Sequence, residues 1–197
     1  ELYADEHIRK YGFHGTSHRY VSGRAAEILG KEEGFTGVTC HLGNGCSLTA
    51  VKDGHSVDTS MGLTPLEGVV MGTRSGDIDP AIIFHLAESR GMELAEINQL
   101  LQRKSGLLGV SGVSNDLREI MEAASGGDHR AELAIDIYAY RVRKYIGSYL
   151  AALGGADAII FTGGVGENGV DMRRRILQGL DRLGMVFDAE RNEACRG

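Results

Sequence analysis

The segment that most constrains this chain is residues 58–80, DTSMGLTPLEGVVMGTRSGDIDP, which has neither helical nor strand periodicity. It contains four glycines, three threonines, two serines and a single arginine, Arg74. Long irregular segments inside compact domains are usually functional or disordered, and apolar side chains such as Met61, Val69 and Met71 argue against disorder. Glycines beside hydroxyls and one planar cation suit a phosphorylated or carboxylate ligand. The segment therefore predicts an anion site at Arg74.

The composition is that of a globular chain that is rich in glycine. Its 197 residues suffice for one large domain or two small ones. Hydrophobic residues make up 42% and charged residues 24%, whereas the 29 glycines are about twice the usual share of roughly 7%. We interpret these glycines as turns and ligand loops. The net charge of −6, without a basic stripe or any Trp, argues against nucleic acid as the main partner.

Cellular location is predicted from two features. No apolar run approaches the roughly 18 residues of a membrane span, and no signal peptide is visible. The three cysteines, Cys40, Cys46 and Cys195, form no CxxC pair, and their odd number predicts reduced thiols in a cytoplasmic protein. Because the chain opens with Glu1 rather than Met, we expect it to be a piece of a longer protein.

The periodicity predicts a layered α/β domain in which strands precede helices. Strands at residues 37–41 and 46–51 flank a glycine-rich turn, and a short third strand runs to residue 58. Helices are predicted at residues 17–29, from the cap Asp79 to residue 90, at 94–103, from residues 115–116, and at 130–153. A loop is predicted at 105–114. A buried strand at 158–162, a turn at 163–168, a helix at 171–183 and a strand at 185–187 complete the chain.

The hairpin tip at residues 41–45 has two interpretations. Asn44-Gly45 is the commonest two-residue hairpin signal, so the tip can be a turn and nothing more. Alternatively, Asn44 and successive backbone N–H groups line a phosphate site.

The turn at residues 163–169 also leaves two interpretations open. Gly164, Gly166 and Gly169 spell GxGxxG after a strand, with Asp188 at a predicted strand end nineteen residues further on, which is the dinucleotide-binding fingerprint. Glu167, however, would place a carboxylate where a pyrophosphate should lie. A base and ribose held by residues 164–168 fit as well, and the spacing alone does not choose between them.

The pair His14 and His18 is spaced i, i+4, which on a helix could ligate zinc. Gly15 makes a helix poor there, and no third ligand is evident. A histidine beside a phosphate loop could instead donate to a transferring phosphoryl group, or be purely structural. Neither GxxxxGK[ST] nor GxSxG occurs, which disfavours a P-loop protein and a nucleophile-elbow hydrolase.

Five motifs together resemble the acetate kinase (acetokinase) family. They are YGFHGTSH at 11–18, HLGNGCS at 41–47, the segment 58–80, SGLLGVSGVSNDLR at 105–118 and FTGGVGEN at 161–168. The resemblance runs the length of the chain, and its long central motif is specific to the family. It implies an actin and sugar-kinase (ribonuclease H-like) α/β fold, with a mixed sheet flanked by helices. It also implies two domains that close over ATP and substrate.

The activity that the resemblance implies is reversible transfer of the ATP γ-phosphoryl group to acetate, giving acetyl phosphate and ADP, with Mg²⁺. By the same resemblance, His14 and Arg74 stabilise the transferring phosphoryl group, and Phe13 and Pro65 wall the acyl methyl group. The implied phosphate hairpin comprises His41, Leu42, Gly43, Asn44 and Gly45. The implied adenosine pocket comprises Asp116, Leu117, Arg118, Gly164, Val165, Gly166, Glu167 and Asn168.

The family also carries an amino-terminal domain with a catalytic aspartate and a carboxy-terminal segment with a metal-site glutamate, and neither position occurs in these residues. We therefore expect residues 1–197 to be most of the second, nucleotide-binding domain, with no metal ligand of its own and no turnover alone. The resemblance implies a homodimer and no membrane partner. Alternatives are a propionate kinase, a non-catalytic nucleotide-binding module, or an NAD-binding oxidoreductase domain, which leaves the first 120 residues unexplained.

Overall fold

One mixed sheet of four strands organises the computed structural model, which describes residues 1–195. The strands are β1 Thr36–Leu42, β2 Cys46–Lys52, β3 His55–Thr59 and β4 Ala158–Thr162, in the order β3-β2-β1-β4. Strands β1, β2 and β3 form antiparallel neighbours, whereas β4 lies parallel to β1. The predicted α/β class with a mixed sheet and helices around it is confirmed.

The helices of the described part connect and cover this sheet. They are α1 Leu2–Glu6, α2 Gly15–Leu29, α3 Ala81–Arg90, α4 Leu94–Arg103, α5 Gly106–Ser111, α6 Leu117–Ser125, α7 His129–Leu153, α8 Gly163–Asn168, α9 Val170–Leu177 and α10 Ala189–Ala194, with a 3-10 turn at Leu180–Leu183. The predicted bounds of α4 and β4 agree with the structure, and those of α3, α6 and α7 are correct to within one or two residues. Within residues 1–195, no helix has the length and apolarity needed to cross a membrane.

Two predicted bounds in the first two thirds of the chain are wrong. Helix α2 begins at Gly15 rather than at residue 17, with His14 as its N-cap. Residues 105–114 are not a loop, because they contain α5. Leu107 is buried and Val110 packs against the core, and this packing offsets the low helix propensity of the glycines.

The end of the chain differs most from its prediction. Residues 163–168 form α8 instead of a turn, and the predicted helix at 171–183 is divided into α9 and the 3-10 turn. No strand forms at residues 185–187, where Val186 is 98% exposed. Asp188 caps α10 by accepting a hydrogen bond from the backbone N–H of Arg191 at 2.9 Å. The second parallel strand of a dinucleotide-binding unit is therefore missing from these residues, and the NAD interpretation is wrong.

The sheet has one apolar face and one polar face, because side chains alternate along each strand. Helix α7 packs against β1 and β2, and α2 packs against β1 and β4. The buried side chains toward α7 are Val38, Cys40, Leu42, Cys46, Leu48 and Ala50, and Cys46 Sγ lies 3.0 Å from the hydroxyl of Tyr138 in α7. The side chains toward α2 are Thr39, His41, Ser47 and Thr49. The polar face is thus available for chemistry while the other face forms the core.

Arg173 of α9 ties the end of α8 to α10. It is 6% exposed, and its Nη1 donates to the carbonyl oxygens of Gly166 at 2.8 Å and Glu167 at 2.6 Å. Its Nε donates to Oδ1 of Asn192 at 2.8 Å, and its Nη2 donates to the carbonyl oxygens of Asn192 at 3.1 Å and Cys195 at 2.7 Å. All five acceptors are neutral, so carbonyl and amide dipoles stabilise the buried charge.

Replacing Arg173 with Met is expected to lower the free energy of unfolding by about 3 kcal/mol, because several buried carbonyl groups lose their donor. Urea unfolding measures this loss. The neighbouring Arg174 is the matched control, since its side chain is half exposed and pairs with carboxylates. Arg174→Met should cost less than about 1 kcal/mol. Equal losses in the two variants would contradict the role assigned to Arg173.

Candidate active site

The tip of the β1–β2 hairpin is the point where three predicted site residues meet. A Cβ built on Gly45 would lie 3.5 Å from Nη1 of Arg74 and 3.7 Å from Nε2 of His14. A guanidinium and an imidazole therefore lie beside the same point of the hairpin backbone. The structure brings into one place three motifs that are distant in the sequence.

Arg74 is half-buried, and within residues 1–195 most of its N–H donors have no hydrogen-bond partner. Its Nη1 lies 3.4 Å from the carbonyl oxygen of Pro65, which accepts this long hydrogen bond, and 3.7 Å from the sulfur of Met71. No carboxylate in the described residues forms a salt bridge with it. A cavity of about 390 Å³, lined by Thr73, Arg74, Gln102 and Arg103, opens beside it. A half-buried guanidinium without an acidic partner is suited to bind an anion.

Backbone hydrogen bonds fix the segment 58–80 around Arg74. The N–H of Leu107 donates to the carbonyl of Met71 at 2.9 Å, and the N–H of Ser105 donates to the carbonyl of Thr73 at 3.0 Å. The N–H of Gly72 donates to the carbonyl of Asn44 at 3.0 Å, which joins the segment to the hairpin tip. The irregular segment is thus held by α5 and by the hairpin.

His14 and His41 stack beside the hairpin tip. Their ring centroids lie 4.1 Å apart with planes 19° from parallel. Nδ1 of His14 lies 2.8 Å from Oγ of Ser47, and Nδ1 of His41 lies 2.9 Å from Oγ of Ser17. Burial lowers the pKa of His14, and the nearby His41 and Arg74 lower it further. Burial also lowers the pKa of His41, while Glu167 opposes that effect.

His18 is a buried, hydrogen-bonded residue. Its Nδ1 lies 2.7 Å from Oγ1 of Thr39, and its Nε2 lies 2.7 Å from Oγ of Ser47. Burial lowers the pKa of His18 to about 4. Both ring nitrogens are used by hydroxyl groups, so the ring offers no nitrogen to zinc. In the part of the chain that the structure describes, no three His, Cys, Asp or Glu side chains are grouped to hold a metal ion.

Helix α8 starts beside the hairpin, because Thr162, which precedes it, pairs with His41 across parallel strands. The hydroxyl of Thr162 donates to Oε1 of Glu167 at 3.2 Å, and Nδ2 of Asn168 donates to the carbonyl of Gly164 at 3.1 Å. Gly164, Glu167 and Asn168 are exposed, whereas Gly166 is buried and Val165 packs against the core. A polar surface of α8 therefore adjoins the tip.

The start of α6 reaches the hairpin tip from the other side. Nδ2 of Asn115 donates to Oδ1 of Asn44 at 3.0 Å. Asp116 caps α6 by accepting from the backbone N–H of Arg118 at 2.9 Å, and it also pairs with the exposed Arg118 guanidinium. Hydrogen bonds from Arg118 lower the pKa of Asp116 to about 2. Leu117 is buried in the core, so its side chain is not exposed to a ligand, and the same holds for Leu42 of the hairpin.

Pro65 and Phe13, the two residues predicted to line the acyl pocket, have different surroundings in the structure. Pro65 contacts Arg74 through its carbonyl group. Phe13 is partly buried against the core, and with Tyr11 and Thr59 it borders a cavity of about 310 Å³.

Ser47, Thr39 and Ser17 contact the histidines, and the sequence interpretation did not single them out. The signal that could have found them is the alternation in residues 38–50, where polar Thr39, His41, Ser47 and Thr49 alternate with buried apolar positions. Such alternation on both strands of a hairpin marks a second, polar face.

The chain is similar to known proteins along its whole length. A family model described as the acetokinase family matches residues 1–197. The acetate kinases of Acetivibrio thermocellus and Methanosarcina thermophila are 56% and 58% identical to the chain over 98% of its length. Among solved structures, the acetate kinase of Porphyromonas gingivalis has a TM-score of 0.95 at 50% identity and covers 100% of the chain. A propionate kinase from Francisella tularensis has a TM-score of 0.94 at 49% identity and covers 98%.

These relatives are longer than the chain. It covers 49% and 48% of the two curated acetate kinases, and 49% and 50% of the two solved structures. The chain thus spans about half the length of the curated relatives that it matches. The family match over all 197 residues and the identities near 56% agree with each other, and the chain belongs to the acetokinase family.

Proposed function

We propose that this chain is most of the second, nucleotide-binding domain of a two-domain acetate kinase. The enzyme transfers the γ-phosphoryl group of ATP to acetate, reversibly, giving acetyl phosphate and ADP. One observation carries the proposal: Arg74, a half-buried arginine without a carboxylate partner in residues 1–195, meets His14 at the glycine of the hairpin tip. A guanidinium and an imidazole that converge on one backbone turn suit a phosphoryl group.

Phosphoryl transfer needs positioning and charge stabilisation more than covalent chemistry from the protein. Arg74 supplies a fixed fork of N–H donors to the oxygens of the transferring group. Nε2 of His14 supplies a second contact beside the same Cβ position of Gly45. Backbone N–H groups and Asn44 at the tip bind the nucleotide phosphates. Glu167 and Asn168 of α8 and the start of α6 hold the adenosine.

The acetate carboxylate lies, in this proposal, between Arg74 and the γ-phosphoryl group, with Pro65 and Phe13 toward its methyl group. Mg²⁺ accompanies the nucleotide, and it supplies charge neutralisation at the phosphates when bound. We propose no ligand for it in this chain, since the metal-site glutamate that the family resemblance implies has no counterpart in these residues. A further domain completes the site, the enzyme is a homodimer, and we place it in the cytoplasm.

Propionate kinase is the second candidate, since one of the similar solved structures is described as a propionate kinase. The two activities differ by one methylene in the acyl pocket, which changes binding by only about 1–3 kcal/mol. The ratio of kcat/KM for acetate and propionate in the full-length enzyme distinguishes them. A ratio that favours propionate would replace the proposed substrate.

Calorimetry on the 197-residue chain tests the nucleotide part of the proposal. ADP and ATP should bind, and NAD should not. Acetate-dependent ADP formation, followed by a coupled assay, tests the rest: the full-length enzyme should turn over and the isolated chain should not. Turnover by the isolated chain would refute the assignment of a missing domain, and binding of NAD in preference to ADP would refute the kinase proposal.

A further inference from the structure

A chain of hydrogen bonds runs behind His14, away from the anion site. It starts at the carbonyl oxygen of Thr49, which lies 3.3 Å from Oγ1 of Thr39. It continues from Thr39 to Nδ1 of His18 at 2.7 Å, and from Nε2 of His18 to Oγ of Ser47 at 2.7 Å. It ends at Nδ1 of His14, 2.8 Å from the same Ser47 oxygen. Thr39, Ser47 and His18 are all buried, so water does not compete for these bonds.

The direction of each bond follows from the first. A carbonyl oxygen only accepts, so the single hydroxyl proton of Thr39 points to Thr49. Oγ1 of Thr39 must then accept from Nδ1–H of His18. Burial lowers the pKa of His18 to about 4, so near pH 7 its ring carries one proton, and its Nε2 accepts from the Ser47 hydroxyl.

These hydrogen bonds then determine which ring nitrogen of neutral His14 carries the proton. Once the Ser47 hydroxyl proton is donated to His18, Oγ of Ser47 can only accept from His14. The proton of a neutral His14 ring is therefore on Nδ1. Its other nitrogen, Nε2, lies 3.7 Å from the Cβ position of Gly45, and Nη1 of Arg74 lies 3.5 Å from the same position. In the neutral ring that nitrogen presents a lone pair, which repels a phosphoryl oxygen.

We propose that His18 and Ser47 are positioning residues that fix the proton of His14 on Nδ1, so that Nε2 binds an oxyanion only after it takes up a second proton. The inference rests on the proposed function, because it concerns the same anion site. Binding of a tetrahedral oxyanion is then linked to the uptake of one proton by His14. The free energy of that proton uptake depends on pH, and so does the affinity for the anion.

Several charged and titratable groups face His14. His41 stacks on it from β1, and Arg74 approaches from the segment 58–80. His18 lies in the first turn of α2, directly after the N-cap His14, and the two ring centroids are 6.4 Å apart. Glu167 of α8 acts on His41. All of the groups nearest to the ring are cationic when charged, so His14 is neutral in the free protein at neutral pH, and a bound anion supplies the charge that favours its protonation.

Nitrogen-15 NMR of the histidine rings tests the chain of bonds directly. In the 197-residue chain at pH 8, His18 and His14 should both carry their single proton on Nδ1. Titration with sulfate, which keeps its charge of −2 across this pH range, should raise the pKa of His14 by about two units or more. Between the pKa of His14 in the free chain and its higher pKa in the complex, the apparent Kd for sulfate should increase by about fivefold or more per pH unit, and above the higher pKa it should level off. A proton on Nε2 of either ring, or proton uptake by His41 instead, would overturn the inference.

Two serine variants separate positioning from structural support. Ser47→Ala removes the acceptor of the His14 Nδ1 proton, so the neutral ring can carry its proton on Nε2 and donate to the anion. The dependence of sulfate Kd on pH should then fall below about threefold per unit. Ser22→Ala is the control, because Ser22 is a buried serine of α2, the helix of His18, and within residues 1–195 its hydroxyl bonds only to the carbonyl of Arg19. It should keep the full pH dependence, and a flattened dependence in both variants would contradict the role of Ser47.

The outcome for this inference is separable from that for the proposed function. The tautomers of His14 and His18 are measured without turnover and without nucleotide. A full-length enzyme that shows these tautomers and sulfate linkage but transfers no phosphoryl group would refute the kinase proposal and support the positioning role. An active kinase in which His14 and His18 carry their proton on Nε2 would support the kinase proposal and refute the positioning role.

Discussion

Replacing Arg74 with Ala in the full-length enzyme is expected to lower kcat by two or more orders of magnitude, about 3 kcal/mol of barrier, by analogy with the loss of one oxyanion donor. The physical reason is that this guanidinium has no carboxylate partner in the described residues and adjoins His14 at Gly45. Its charge is thus available to the transferring group. Acetate-dependent ADP formation in a coupled assay measures the effect, and near-normal turnover would remove Arg74 from the mechanism.

Two further arginine variants separate its geometry from its charge. Arg74→Lys keeps the positive charge but loses the planar fork, so it should still lose at least about tenfold in kcat. Arg90→Ala removes an exposed positive charge from the end of α3, outside the site motifs. Its kcat should change less than about twofold, since exposed charges are screened by salt. A similar loss in Arg90→Ala would mean that net charge, not position, carries the effect.

Replacing Gly106 with Ala is expected to cause the largest loss of stability, at least about 3 kcal/mol, because the new methyl group has no space. Gly106 has φ +64, and its Cβ would lie 2.2 Å from the carbonyl oxygen of Met71 and 2.7 Å from that of Arg74. These are backbone atoms, so no side-chain rotation relieves the contact. The segment that holds Arg74 must move, and kcat should fall together with the free energy of unfolding.

Gly91 provides a control with the same backbone conformation. It also has φ +64, but no atom lies within 4 Å of its Cβ position. Gly91→Ala therefore includes the cost of the left-handed conformation, about 1 kcal/mol, without a clash. Urea unfolding of the two variants isolates the steric contribution at Gly106. Equal losses would show that φ alone determines the cost.

The sequence was sufficient for the elements whose signal is local. Turn chemistry predicts the hairpin around Asn44, the cap Asp79 predicts the start of α3, and apolar residues at a 3.6-residue period predict α7. The structure has all three elements close to where they were predicted. The meeting of His14, Gly45 and Arg74 was expected from motif order in a family, not from spacing. Their distances along the chain contain no information about proximity.

The failures share a physical cause, which is that tertiary packing overrides local preference. Helix α5 forms in a glycine-rich stretch because Leu107 is buried there. Residues 185–187 have a strand-like composition but no neighbouring strand to bond with, and Val186 is left in solvent. The hydrogen bonds of Ser47 depend on which face of β2 packs against α2. The sequence of β2 alone does not show which face that is.

The two-faced hairpin limits how this region can change in evolution. Cys46 and Leu48 point to the core while Ser47 points to the histidines, so the loss or gain of one residue in the turn at 43–45 would exchange the two sets. Hydroxyl groups would then enter the core, and apolar groups would face His14. We expect related chains to vary freely in the composition of exposed α3 but to keep the length of this turn constant.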